Sequence, residues 1–126
     1  MKKIVCLLIV ILFFGCDFSS SSFNPPKWII GSWETEYETM TFTFTSDNIV
    51  ILSKLLDPID FKKTYDKDEI EEDVESNGIY EFATIFVYKE YNRKDTYRFV
   101  KQSSNSLRYY STHDKRVSSP VELFKK

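Results

Sequence analysis

From Trp28 onward, apolar and polar residues alternate with a period of two, the signature of β-strands with one buried face. In Met40-Thr41-Phe42-Thr43-Phe44-Thr45 the apolar residues face one way and the threonines the other. Ser46-Asp47-Asn48 is a turn-forming cluster, and Ile49-Val50-Ile51-Leu52 is the next strand, so 40–52 reads as a hairpin. Upstream, Ile29, Gly31, Trp33, Thr35 and Tyr37 alternate with Glu34, Glu36 and Glu38, which must face water. The apolar phase changes from odd to even between Tyr37 and Met40. A one-residue slip would turn every core residue outward, so a tight turn or bulge is required near Tyr37-Glu38-Thr39.

Downstream, Ile79 to Tyr91 is one β-rich run whose even positions are Tyr80, Phe82, Thr84, Phe86 and Tyr88. Asn92-Arg93-Lys94-Asp95 reads as the next turn, and Thr96 to Lys101 as a strand with Tyr97 and Phe99 on one face. After a turn at Gln102–Ser106 comes a strand carrying Leu107, Tyr109 and Ser111. The last strand is Val121 to Phe124, opened by Pro120, which a strand edge tolerates. In the second half of 80–88 both faces are apolar, through Ile85 and Val87 opposite Phe86 and Tyr88. The second face therefore needs a cover: residues 53–75, another subunit or a ligand.

Residues 53–78 resist this reading. Leu55 to Phe61 suits a short helix or an irregular turn. Asp66 to Glu75, with Ile70 and Val74 four apart, suits one or two helical turns with a solvated acidic face. The fold class expected is all-β: a small antiparallel meander closing into a barrel, with a short helical or irregular insertion around 53–75. Closure would remove the sheet edges. Aromatic residues make up 17% of the chain, enough to fill a small barrel with large side chains.

The segment before Trp28 has a different pattern. Met1-Lys2-Lys3 is a basic start, and Ile4 to Phe14 is an uninterrupted apolar run. Eleven residues are too few to span ~30 Å of hydrocarbon as a helix, but they fit the core of an export signal. The run ends in Leu12-Phe13-Phe14-Gly15-Cys16. A small residue followed by Cys at this place resembles the lipobox of bacterial lipoproteins, in the relaxed form of spirochaetal members. The resemblance implies cleavage before Cys16, a lipid on its thiol, and attachment to a bacterial membrane, the outer membrane in particular, on its surface or periplasmic face. Residues 1–15 are then a signal peptide, 16–27 the lipidated Cys and a flexible tether rich in Ser and Pro, and 28–126 the folded domain.

Within that domain Trp28 to Trp33, followed by Met40 to Phe44 and Asp47-Asn48, is similar to the opening of lipocalin-like domains, which place Gly-x-Trp on the first strand. Gly31 and Trp33 match that motif. The resemblance implies a lipocalin-like barrel, a basic residue covering the Trp, for which Arg98 and Arg108 are the candidates, and an interior lined by Trp33, Phe42, Phe44, Phe82 and Phe86 as a tentative ligand site.

Charge and composition narrow the function. Loss of Lys2 and Lys3 with the leader takes the net charge from −2 to about −4, against nucleic-acid binding, which needs a basic excess. Loss of Cys6 leaves one Cys and no intramolecular disulfide. His113, the single histidine, lies in the polar segment Ser111–Arg116 and reads as a solvated loop residue. One His cannot assemble a common zinc site. Asp66, Asp68 and Glu72 lack the spacing of a calcium loop and read as a solvated acidic stretch. No catalytic residues, metal or cofactor are assigned. The expected function is a membrane-anchored, non-catalytic binding module for an apolar small molecule or a protein. The alternatives are a surface or structural lipoprotein with a solid interior that binds host or envelope proteins, and a hydrolase inhibitor of the lysozyme-inhibitor type.

Overall fold

A computed structural model describes residues 23–75 and 78–126 of the chain. The expected signal peptide, Cys16 and residues 17–22 lie outside the described residues. The chain runs through β1 (Gly31–Thr35), β2 (Met40–Phe44), β3 (Ile49–Ser53), β4 (Ile59–Asp60), α1 (Phe61–Thr64), β5 (Ile70–Glu75), β6 (Ile79–Tyr88), β7 (Tyr91–Lys101), β8 (Ser106–His113), β9 (Arg116–Val117) and β10 (Val121–Lys125). All pairings are antiparallel, in the order β4-β3-β2-β1-β10-β8-β7-β6-β5, with β9 beside β8. The first and last long strands meet in the middle of the sheet, where Trp33 lies opposite Lys125.

The all-β meander is as the alternation predicts, but the barrel does not close. The sheet curls into a half-barrel, and β4 and β5 stand at its two ends without pairing. The reason is local. β4 is only two residues long before the chain turns into α1, so it offers too little edge for β5 to join. Side chains fill the seam instead. Phe61, the first residue of α1, is fully buried. Its ring meets Phe82 at 5.1 Å, Tyr97 at 5.4 Å and Phe23 at 6.2 Å, all edge-on, and stacks on Tyr65 at 5.5 Å.

Phe23 and Pro25 are buried as well, so the expected tether 16–27 is packed structure from Phe23 onward. Phe23 meets Phe82 edge-on at 5.4 Å. The next backbone amide, Asn24, donates to both carboxylate oxygens of Glu72 on β5, at 2.8 and 3.1 Å. The N-terminal segment thus lies across the gap that strand pairing would otherwise close.

The phase change between β1 and β2 is met by a turn in which Glu38 takes a φ of 53°. Thr35 Oγ1 accepts the amides of Thr39 and Met40, which keeps that turn satisfied. Gly31 opens β1 at a φ of 129°, a conformation that residues with a Cβ rarely adopt. Three expectations change. The run 79–91 is broken at Lys89-Glu90, so 92–95 is strand and not turn. Residues 70–75 form β5 and not a helix. They pair with β6 over six positions, and that ladder overrides the helical spacing of Ile70 and Val74. Residues 59–64 hold both a short strand and one helical turn.

Asp60 caps α1. Its carboxylate accepts Asn48 Nδ2 at 2.9 Å and the Lys63 amide at 3.2 Å. The Asn48 hydrogen bond, then the Lys63 contacts, hold this carboxyl below its ordinary value despite desolvation. The stabilisation is complete above the unfolded value of about 4 and is lost as pH falls through the lowered folded value. Asp60→Ala is therefore expected to cost about 1–2 kcal/mol at pH 7 in urea denaturation, with a smaller difference from wild type at pH 3. Phe23→Ala is expected to cost about 3–5 kcal/mol. A freely mobile Phe23 would give no change, so an unaltered urea midpoint sinks the packed-seam account.

Candidate functional site

The interior comes first, because the expected ligand-lining residues lie there. Alternation along β1, β2, β6, β7 and β8 sends Trp33, Phe42, Phe44, Tyr80, Phe82, Phe99 and Leu107 into the concave face. Trp33, Phe42, Phe44 and Phe82 are each no more than 1% exposed. They touch other rings: Phe42 meets Phe99 at 5.5 Å and Tyr109 at 4.9 Å, and Phe44 meets Phe99 at 5.0 Å and Tyr80 at 6.3 Å. Phe82 stacks on Tyr97 at 4.7 Å. The space expected to hold a ligand is occupied by rings at contact distance.

Two buried polar groups are satisfied within this core. Trp33 Nε1 donates to the Ile29 carbonyl at 2.8 Å. The Tyr80 hydroxyl donates to Glu72 at 2.7 Å, and burial pushes this phenol far above its ordinary pKa. The basic residue over Trp33 is Lys125, whose Nζ lies 5.4 Å from the ring. Arg98 and Arg108, the sequence-based candidates, instead pair with Glu81 and Glu122. Lys125 was not legible beforehand, because its placement depends on pairing between the first and last long strands.

Phe86 does not join the interior. It has the inward parity of β6 but lies beyond the core, 54% exposed, stacked on Tyr88 at 6.4 Å. Here the concave face turns polar. Thr84, Asp95 and His113 lie side by side across β6, β7 and β8, with Phe86 and Arg93 one step further out. Tyr65, Thr84, Phe86, Arg93 and Asp95 line an open cleft of ≈320 Å³ at this rim.

Asp95 is the centre of the rim. It accepts Arg93 Nε at 2.9 Å and lies 3.2 Å from His113 Nδ1. Hydrogen bonding to Asp95, and then its charge, raise the Arg93 pKa. The edge of His113 meets Tyr97 at 6.3 Å, and burial raises the Tyr97 phenol pKa. His113 thus ends β8 and does not lie in a loop; the turn is Asp114-Lys115, both at positive φ, which suits a two-residue hairpin. A carboxylate on Nδ1 is the orienting half of a hydrolytic triad. Among the described residues no hydroxyl bonds the other ring nitrogen, and the nearby Ser111 hydroxyl lies 2.8 Å from that of Ser118. As it stands the cluster is an ion-paired rim.

The acidic stretch is likewise structural. The Asp66 amide donates to Glu69, and Glu72 is engaged by Asn24 and Tyr80. Among the described residues no cluster of three His, Cys, Asp or Glu is arranged to hold a metal ion.

The chain matches no protein-family model, no curated protein and no solved structure. Its chemistry is therefore read from its own geometry. A filled interior makes a direct prediction. Phe42→Ala is expected to lose about 3–5 kcal/mol and to gain thermal stability on addition of benzene, because it opens a dry apolar space. Wild type is expected to show no such gain. An equal response of wild type in differential scanning calorimetry would mean that a cavity already exists.

Proposed function

We propose that this protein is a lipid-anchored component of a bacterial envelope that works by binding through its surface, without enclosing a ligand. The observation that carries the second half of this reading is the interior. Trp33, Phe42, Phe44 and Phe82 are buried, and the three phenylalanines are in ring contact with their neighbours, which supports a core packed by side chains among the described residues. Of the functions the sequence leaves open, this favours the binding of a host or envelope protein over carriage of a small molecule.

The anchor half rests on Lys2, Lys3, the apolar run Ile4–Phe14 and the Gly15-Cys16 junction. The burial of Phe23 sharpens it. Seven residue steps separate Cys16 from Phe23, the first described residue and a buried one, a reach of at most roughly 25 Å, so an acylated Cys16 would hold the domain against the bilayer. The finer fold reading is a half-barrel of lipocalin-like type. It is supported by Gly31 at positive φ, the buried Trp33 and Lys125 over its ring.

Feeding cells a clickable palmitate analogue tests the anchor. Wild type is expected to carry the label and Cys16→Ala to lose it. Label that survives the substitution, or no label at all, removes the anchor. Organic extracts of protein purified from its native membrane test the filled interior. A stoichiometric apolar compound released from wild type would reverse the preference for surface binding.

A further inference from the structure

β6 and β7 extend past their neighbours. β5 begins opposite Thr84, and β8 ends opposite Asp95, which is also the partner of Thr84. Among the described residues, beyond that level only Ile85–Lys94, Phe86–Arg93, Val87–Asn92 and Tyr88–Tyr91 continue, joined through Lys89-Glu90. These four pairs make a two-stranded ribbon roughly 14 Å tall with no described strand paired on either side. A free ribbon of this kind is marginal in water, yet this one is apolar. Phe86, Val87, Tyr88 and Tyr91 are each more than half exposed. They lie on both faces, with Phe86, Tyr88 and Tyr91 on one side and Val87 on the other.

We propose that the tip of this ribbon enters the interfacial layer of the bilayer to which the protein is anchored, as a second membrane contact that orients the domain. Three observations point to lipid as the occupant. Exposed apolar residues lie on both faces of the tip, and a bilayer interface covers a peg on both, whereas a protein surface covers one. The turns at this end carry a small basic excess: Lys89, Lys115 and Arg116 against Glu90 and Asp114, while Arg93 and Lys94 are engaged by Asp95 and Glu71. Tyr and Phe with flanking Lys and Arg are also the side chains that settle at headgroup level. Unpaired strand edges limit the depth to the hydrated interface, because hydrocarbon leaves their amides unsatisfied.

The third observation is reach. Phe23, where the described chain begins, packs on Phe82, six residues along β6 from Tyr88, or roughly 20 Å. The seven steps from Cys16 to Phe23 span at most roughly 25 Å. The acylated end can therefore lie in the plane of the ribbon tip. This inference rests on the anchor proposed above.

The test uses the acylated protein reconstituted in vesicles of phosphatidylethanolamine and phosphatidylglycerol with brominated acyl chains. Tyr88→Trp and Val87→Trp place a fluorophore on each face of the tip, with near-UV circular dichroism to check folding. Both variants are expected to show a blue shift and a loss of emission beyond that of wild type, which already carries Trp28 and Trp33. If the protein is acylated and vesicle-bound but neither added Trp is quenched, the ribbon proposal fails while the anchor stands. Quenching on one face only also overturns it, as does a blue shift without vesicles that grows with protein concentration, which would mark a second copy as the partner. Absence of fatty acid on Cys16 removes the anchor and this proposal together.

Discussion

Phe61 sits where an antiparallel meander has to solve its edge problem. A sheet that curls but does not close leaves two open ends, and each exposes apolar side chains of the inner face to water. Here the ends are joined by rings and not by backbone hydrogen bonds. Phe61 brings α1 against Phe82 and Tyr97 of the opposite end, and Phe23 fills the remaining gap. Edge-on aromatic pairs contribute about 0.5–1.5 kcal/mol each beyond area burial, so the cluster is a substantial replacement for a missing strand pair. The core behind it, from Tyr80 to Phe42, stays dry only while this seam holds.

Glu72 ties the polar side of the same seam. Its carboxylate takes the Asn24 amide outside and the Tyr80 hydroxyl inside, so one residue satisfies a free backbone donor and a buried phenol. The N-terminal segment is thereby part of the fold. Along the strand direction the two rims of the half-barrel also differ: one carries Trp33 with Lys125 over its ring, while the other carries the Arg93–Asp95–His113 cluster and the apolar ribbon.

Most strands were legible because alternation is local. Met40 to Phe44, Ile49 to Leu52, Tyr97 to Phe99 and Leu107 to Ser111 need only their own side chains to show which face is buried. The turn at Glu38 was legible for the same reason, since a phase change must be absorbed somewhere. The errors came where local signals compete. Ile70 and Val74 fit a helix face and a strand face equally well, and pairing with β6 decided between them. Asn92 to Asp95 has turn-forming residues, but the ladder with β6 runs through them to a turn at Lys89-Glu90. Phe86 has the correct parity and the wrong depth, because parity says which face a residue takes and not how far the neighbouring strands extend.

By itself the sequence determined an all-β antiparallel chain with an aromatic inner face, an acidic composition beyond residue 16, and an apolar N-terminal run followed by Gly15-Cys16. These follow from side-chain chemistry and from the two-residue period of the extended backbone. Only the tertiary structure decided that the sheet stays open, that Phe23 and Phe61 fill the seam, and that Lys125 covers Trp33. It also decided that the interior is filled and that β6 and β7 outrun the sheet. Each of these depends on contacts between residues far apart in the chain, set by strand lengths and by the packing of large rings, which no local pattern encodes.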